Sequence, residues 1–142
     1  MSKTAIIYWS GTGNTEAMAN AIFDGAKEGN ADTKLFSVDQ ITADEAKDYN
    51  NLILGCPAMG AEELEEGEFE PFFAELEVNL SGKNVALFGS YGWGDGEWMR
   101  EWEKRVTDAG AKLANESVIA NDSPDEDAVT ACNGLGKIVA TL

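Results

Sequence analysis

Residues 10 to 15, SGTGNT, place three hydroxyl side chains, two glycines and an asparagine directly after the apolar run TAIIYW. Backbone N–H groups in a glycine-containing turn, followed by the start of a helix, form an anion-binding site. Hydroxyl and amide side chains add neutral hydrogen-bond donors to such a site. The stretch therefore predicts a phosphate-binding loop made of Ser10, Gly11, Thr12, Gly13, Asn14 and Thr15.

The loop differs from two common nucleotide-binding motifs. It lacks the lysine of G-x-x-x-x-G-K-[ST], and Glu16 stands where a third glycine would complete G-x-G-x-x-G. No lysine or arginine lies between Lys3 and Lys27. Without a cationic side chain, only hydrogen bonds and the helix dipole would hold the phosphate. This arrangement suits one terminal phosphate monoester.

Two further loops carry apolar and aromatic side chains. PAMGAEE follows the apolar run 51–56, and SYGWGDGE follows the apolar run 84–89. Met59 offers a polarisable thioether and Trp93 an indole face, so a planar heterocycle could lie between them.

Short apolar segments alternate with segments of helical composition along the chain. The predicted strands cover 4–9, 33–38, 51–56, 84–89 and 112–120, and the predicted helices cover 15–28, 68–77, 97–109 and the region from Ser123 to about Leu142. This alternation predicts one α/β domain over residues 1–142, a doubly wound five-stranded parallel sheet with helices on both faces. A ligand is expected at the carboxyl ends of its strands, where the three loops would meet.

Individual residues support these helices. Phe69, Phe72, Phe73 and Leu76 form one apolar stripe, and Trp98 and Trp102 are predicted to pack rather than to bind a ligand. In the last helix Ser123 is predicted as the N-cap, with Pro124 at the first helical position and Glu126 completing a capping box.

Composition excludes several classes of function. The chain contains no histidine, which excludes Ser-His-Asp and Cys-His catalysis, and Cys56 and Cys132 are predicted to be buried thiols rather than metal ligands. The net charge of −16 disfavours binding to nucleic acid or anionic membranes. No apolar run could span a bilayer and no secretory signal is evident, so we expect a cytoplasmic protein. Nothing in the sequence suggests an obligate interface, so we expect a monomer.

Three motifs together carry a resemblance to a known family. YWSGTGNT, GCPAMG and LFGSYGWGDGEWM, in this order and at this spacing, resemble the flavodoxins of the short-chain, clostridial type over essentially the whole chain. The resemblance implies the strand order 2-1-3-4-5, one non-covalently bound FMN, and single-electron transfer by a protein that is not an enzyme.

The resemblance also implies the cofactor-binding residues. Ser10 to Thr15 correspond to the phosphate loop, and Ser90 adds a further phosphate hydroxyl. The loop on the inner side of the flavin ring corresponds to Ala58, Met59, Gly60, Ala61 and Glu62. The outer loop corresponds to Ser90, Tyr91, Gly92, Trp93 and Gly94, with Trp93 stacking on the ring. Asn121 corresponds to a third-loop contact, for which Asp122 is the alternative.

The mechanism that the resemblance implies is a low-potential shuttle between the neutral semiquinone and the anionic hydroquinone of FMN. The peptide carbonyl of Gly60 would turn towards flavin N5, and an acidic protein without cationic groups at the flavin would disfavour the second negative charge. The alternative is an FMN-dependent quinone or azo reductase on the same fold. A signalling receiver would need an aspartate after the third strand, where the chain has Gly55 and Cys56.

The segment EELEEGEFE, residues 62–70, contains six glutamates and no base. One interpretation is a solvated helix start, because acidic residues are favourable in a first turn. The other is a docking surface that attracts redox proteins with basic surfaces.

Overall fold

The computed structural model describes residues 3–30, 32–59, 63–92 and 94–142. At its centre lies a parallel sheet, whose strands are β1 Thr4–Tyr8, β2 Lys34–Ser37, β3 Asn51–Gly55, β4 Asn84–Tyr91, β5 Lys112–Leu113 and β6 Val118–Asn121. The order across the sheet is β2-β1-β3-β4, and both β5 and β6 pair with β4. Since β5 and β6 occupy one strand position in turn, the predicted order 2-1-3-4-5 is confirmed.

The fifth strand position differs in detail from the continuous strand expected over 112–120. It is interrupted between Leu113 and Val118. Within the interruption the Asn115 amide donates to the Glu116 carbonyl at 3.3 Å, and the Ser117 hydroxyl donates to the Glu103 carboxylate at 2.7 Å. Short polar side chains offer local hydrogen bonds that compete with a strand ladder, which explains the interruption.

The helices are α1 Asn14–Gly29, α2 Ala43–Ala46, α3 Phe69–Glu77, α4 Glu97–Asp108 and α5 Glu126–Ala140. The four helices expected from the sequence are present, and α2 adds one turn that was not among them. A single 3₁₀ turn, Val38–Gln40, ends β2 earlier than expected. There the Ser37 backbone N–H donates a hydrogen bond to the Gln40 side-chain oxygen at 2.8 Å. This hydrogen bond starts the turn instead of continuing the strand.

The strands direct alternate residues to two apolar layers, one on each face of the sheet. Ile6, Ile53 and Phe88 pack against α1 and α5, whereas Ile7, Leu54 and Leu87 pack with α3 and α4. This alternation is the period of two expected of a strand. It confirms the prediction of helices on both faces.

The predicted apolar stripes are buried in the second of these layers. Phe69, Phe72, Phe73 and Leu76 of α3 are buried, and so are Trp98 and Trp102 of α4. Cys56 and Cys132 are buried free thiols, as expected. Burial raises the pKa of each thiol to about 12, so both stay protonated at neutral pH.

The start of α5 corrects the predicted cap. Asp125 is the N-cap, and its carboxylate accepts the Ala128 N–H at 2.8 Å. The Ser123 hydroxyl instead donates to the Asn14 side-chain oxygen at 3.5 Å. Ser123 is thus used in a contact with the start of α1, so Pro124 lies before the helix rather than in its first turn.

No helix in the described ranges is long and apolar enough to cross a bilayer.

Candidate functional site

A cleft of about 340 Å³ opens at the carboxyl ends of β1, β3 and β4. This position agrees with the rule that ligands bind outside the strand ends of open parallel sheets. The predicted site residues that line the cleft are Ser10, Gly11, Thr12, Asn14, Thr15, Ala58, Met59, Ser90, Tyr91 and Gly92. Trp9, Pro57 and Asp122 also line it. Gly60, Ala61, Glu62 and Trp93 lie outside the described residues.

Hydrogen bonds to one hydroxyl shape the loop after β1. The Ser10 Oγ accepts the Gly13 N–H at 3.1 Å and the Glu16 N–H at 3.2 Å. Gly13 has φ of 96°, a left-handed conformation that strongly favours glycine. The first N–H groups of any helix have no acceptor within that helix, so those of Asn14 and Thr15 are available at the cleft.

Two hydroxyl groups meet where α1 approaches β4. Thr15 Oγ1 and Ser90 Oγ are 3.0 Å apart, and both residues are buried. Ser90 and Tyr91 were expected in a loop, but they form the end of β4, because they pair with Ala120 and Asn121 of β6. A strand position holds the Ser90 hydroxyl more firmly than a loop would.

The loop after β3 is attached to β4 and closed by a short bridge. The Ala58 N–H donates to the Ser90 carbonyl at 3.0 Å. Met59 and Glu63 exchange two backbone hydrogen bonds of 2.8 Å each. The Met59 side chain is 36% exposed and lines the cleft.

The loop after β6 brings Asp122 to the cleft. Its N–H donates to the Tyr91 carbonyl at 2.8 Å, and its φ of 56° is the one positive value of a non-glycine residue within the described ranges. Asn121 instead lines a neighbouring groove beside α5. Of the two candidates that the sequence offered here, the structure places Asp122 in the cleft.

Trp9 was not predicted as a site residue. A β-carbon built on Gly11 would lie 3.0 Å from the Trp9 ring, so the indole packs directly on the loop backbone. The Trp9 indole N–H donates to the Glu68 carboxylate at 3.2 Å. The position of Trp9 next to a glycine-containing loop could have indicated a site residue. Its apolar neighbours favoured its assignment to the strand instead.

The acidic segment has several structural roles. The Glu65 carboxylate accepts the N–H groups of Gly67, Glu68 and Phe69 at 2.7 to 2.9 Å and so caps α3. Burial tends to raise the pKa of Glu65, but these three hydrogen bonds outweigh it and hold the pKa below the ordinary 4.5. Glu68 holds Trp9, as described above.

Glu70 of the same segment forms an ion pair with α4. Its carboxylate accepts two hydrogen bonds from Arg105, of 2.6 and 3.0 Å, and Glu77 accepts from the same guanidinium. These carboxylates raise the pKa of Arg105, although partial burial opposes them. Glu63 and Glu66 are exposed, and no side-chain partner is found for either within the described residues.

Among the residues that the structure describes, no cluster of three or more Cys, Asp or Glu side chains is arranged to hold a metal ion.

Comparisons with known proteins agree with this geometry. The flavodoxin family model matches residues 6–134. A flavodoxin of Clostridium beijerinckii is 49% identical over 96% of this chain and 99% of its own length. A flavodoxin of Megasphaera elsdenii is 47% identical over 95% of this chain and 96% of its own.

Solved structures extend the comparison to the fold. The solution structure of two-electron reduced Megasphaera elsdenii flavodoxin has a TM-score of 0.89, with 46% identity over 98% of this chain and 99% of that one. A flavodoxin from the domain Archaea has a TM-score of 0.85 at 27% identity, covering 97% and 96% of the two chains. The chain therefore belongs to the flavodoxin family, FMN-binding electron-transfer proteins rather than enzymes, and resembles its short-chain clostridial type.

Proposed function

We propose that the chain is a low-potential one-electron carrier that holds FMN non-covalently in the cleft described above. Bound there, FMN would supply one-electron chemistry, with the neutral semiquinone and the anionic hydroquinone as the working pair. The observation that carries the proposal is the division of the cleft into a hydroxyl-rich end and an apolar end. No lysine or arginine is found among its described lining residues.

The hydroxyl-rich end fits the phosphate of FMN. Ser10, Thr12, Thr15 and Ser90 supply hydroxyl groups at the cleft, and the start of α1 supplies backbone N–H groups. Such neutral donors bind a monoester through hydrogen bonds and the helix dipole. Because no cation is involved, little positive charge is left near the ring.

The apolar end fits the isoalloxazine ring. Pro57, Ala58 and Met59 form one wall, and Tyr91 and Gly92 belong to the other. These groups can contact a flat ring and exclude water from it. We propose that Gly60, Ala61, Glu62, Trp93 and Gly94 keep the roles that the resemblance implies, and that Asp122 rather than Asn121 makes the third-loop contact.

The charges around the cleft oppose an additional negative charge. Asp122 lines the cleft, and the whole chain carries −16. An anion between apolar walls loses solvation and is repelled by these carboxylates. Both effects lower the potential of the step that adds the second electron.

Stepwise anaerobic reduction, followed by absorbance, tests this proposal. We expect a long-wavelength semiquinone band to rise and then to disappear, whereas free FMN in the same buffer should show almost none. Direct bleaching in one two-electron step would contradict the carrier and favour the quinone or azo reductase.

Asp122→Asn should raise the potential of the step that adds the second electron by a few tens of millivolts, corresponding to roughly 1 kcal/mol. Asp24→Asn, on the exposed side of α1, is the matched control.

We further propose that redox partners with basic surfaces dock beside the acidic segment. Glu63 and Glu66 of this segment would contact the partner. Glu65, Glu68 and Glu70 already form hydrogen bonds within the protein. Glu63 and Glu66 line a cleft of about 330 Å³ with Glu101. Arg105 lines the same cleft, but its guanidinium is paired with Glu70 and Glu77. Exposed carboxylates attract a basic partner and help to fix its orientation.

Electron transfer to cytochrome c, used as a small basic model acceptor, tests the docking proposal. The bimolecular rate constant should fall with ionic strength, and Glu63→Gln with Glu66→Gln should lower it about threefold or more at low salt. Asp24→Asn with Asp32→Asn changes the net charge equally at sites away from the cleft. Equal rates for the two double variants would show that net charge, rather than this surface, controls association.

A further inference from the structure

A second large groove lies between α5 and residues 115–121. It is on the α5 face of the sheet, and the acidic segment packs on the other face. Its volume is about 600 Å³, and it shares no lining residue with the cleft proposed for FMN. The α5 wall consists largely of small and apolar side chains: Ala128, Ala131, Gly134, Leu135 and Ile138. Val118, Ile119 and Ala120 of β6 form the facing wall.

The groove exposes apolar surface that the protein itself does not cover. Ile119 is 38% exposed and Ile138 is 49% exposed. A β-carbon built on Gly134 would meet nothing within 4 Å, so the groove is open above this residue. Ala128, Ala131 and Gly134 follow one another every three residues along α5, and such small residues let a second helix approach closely.

The charges on the groove are of one sign. Glu116, Asp125 and Asp127 lie among the lining residues, and no lysine or arginine is found among those described. The Asp125 carboxylate also caps α5. An occupant with basic groups beside an apolar face would match both properties of the groove. A second copy of this chain, itself carrying −16, would not.

We propose that this groove docks an amphipathic helix of a partner protein, with leucine-like side chains on one face and lysine or arginine on its flanks. The helix would lie along α5, with its apolar side chains above Gly134 and between Ile119 and Ile138. Its basic flanks would face Glu116 and Asp127. Helix-in-groove recognition of this kind uses apolar anchors at i, i+3, i+4 and i+7.

The probe for the test is a labelled model peptide of about 16 residues, long enough for four helical turns, made of leucine and lysine with that spacing. The control peptide has the same composition in an order without an apolar face. Binding to the FMN-loaded protein is measured by fluorescence anisotropy, and the location by amide chemical shifts. We expect shifts at Ala131, Gly134 and Ile138, and at least roughly tenfold weaker binding of the control peptide.

Matched variants on α5 test the location independently. Gly134→Leu fills the groove and should weaken peptide binding about tenfold or more. Thr130→Leu adds a side chain of the same type to an exposed position of the same helix outside the groove and should change it less than about twofold. Ile138→Asp is a second disrupting variant, and flavin absorbance and circular dichroism verify folding of each protein.

Three outcomes would overturn the proposal. The first is equal binding of both peptides, which would show that net charge alone accounts for peptide binding. The second is a shift pattern centred on residues 63–70 rather than on α5. The third is a dimer in sedimentation velocity that Gly134→Leu dissociates, since a second copy would then occupy the groove.

Discussion

Gly136→Ala is expected to lower the free energy of unfolding by about 3 kcal/mol, although alanine is the better helix former. A β-carbon at Gly136 would lie 2.1 Å from the Ile22 carbonyl oxygen and 2.9 Å from the Ala26 nitrogen. Both atoms belong to the backbone of α1, which cannot rotate away as a side chain would. The two helices would have to separate, and their apolar contacts with β1 and β4 would loosen.

Gly134→Ala is the matched control, two residues earlier in the same helix. Its β-carbon meets nothing within 4 Å, so the substitution should raise the free energy of unfolding by about 0.5 to 1 kcal/mol. Urea unfolding at one fixed excess of FMN measures both variants, because bound ligand contributes equally to each. Equal changes in the two variants would show that α1 and α5 do not approach as closely as described.

Thr15→Val is expected to weaken FMN binding by about 10 to 100-fold, because a hydrogen bond to a charged phosphate contributes about 1.5 to 3 kcal/mol. The substitution keeps the shape of the side chain and removes a hydroxyl that lies 3.0 Å from that of Ser90 at the cleft. Fluorescence quenching on titration of the FMN-free protein measures the affinity. Thr130→Val, at an exposed position of α5, should leave it unchanged.

Riboflavin separates the role of the phosphate from that of the ring. It carries the same ring as FMN and no phosphate, so Thr15→Val should change riboflavin affinity less than about twofold. An equal loss for FMN and riboflavin would contradict the phosphate assignment. Such a result would mean that Thr15 supports the whole cleft through Ser90 instead.

Much of the fold was accessible from residue patterns. Ile6 and Ile7, or Phe88 and Leu87, alternate between the two faces as any buried strand requires, and the stripe around Phe73 follows the helical period. Once the strands are parallel, their carboxyl ends share one edge, so the loops bearing Ser10, Met59 and Gly92 had to be neighbours.

Competition between local interactions was harder to predict. Ser123 and Asp125 are both good N-caps, and the contact of Ser123 with Asn14, distant in sequence, decided between them. The interruption before β6 likewise involves the hydrogen bond from Ser117 to Glu103, which is distant in sequence. Patterns over a few residues do not contain these long-range partners.

The amino-acid sequence by itself determined the alternation of strands and helices and the chemical character of each flavin loop, because these depend on residue type and local period. The strand order followed from the resemblance of its motifs to the family. Only the tertiary structure decided which acidic residues remain available to a partner. Glu65 caps a helix, Glu68 holds Trp9 and Glu70 pairs with Arg105, whereas Glu63 and Glu66 face solvent. The physical reason is that the glutamate carboxylates are chemically identical. The partner of each one depends on which elements the fold brings within hydrogen-bonding distance.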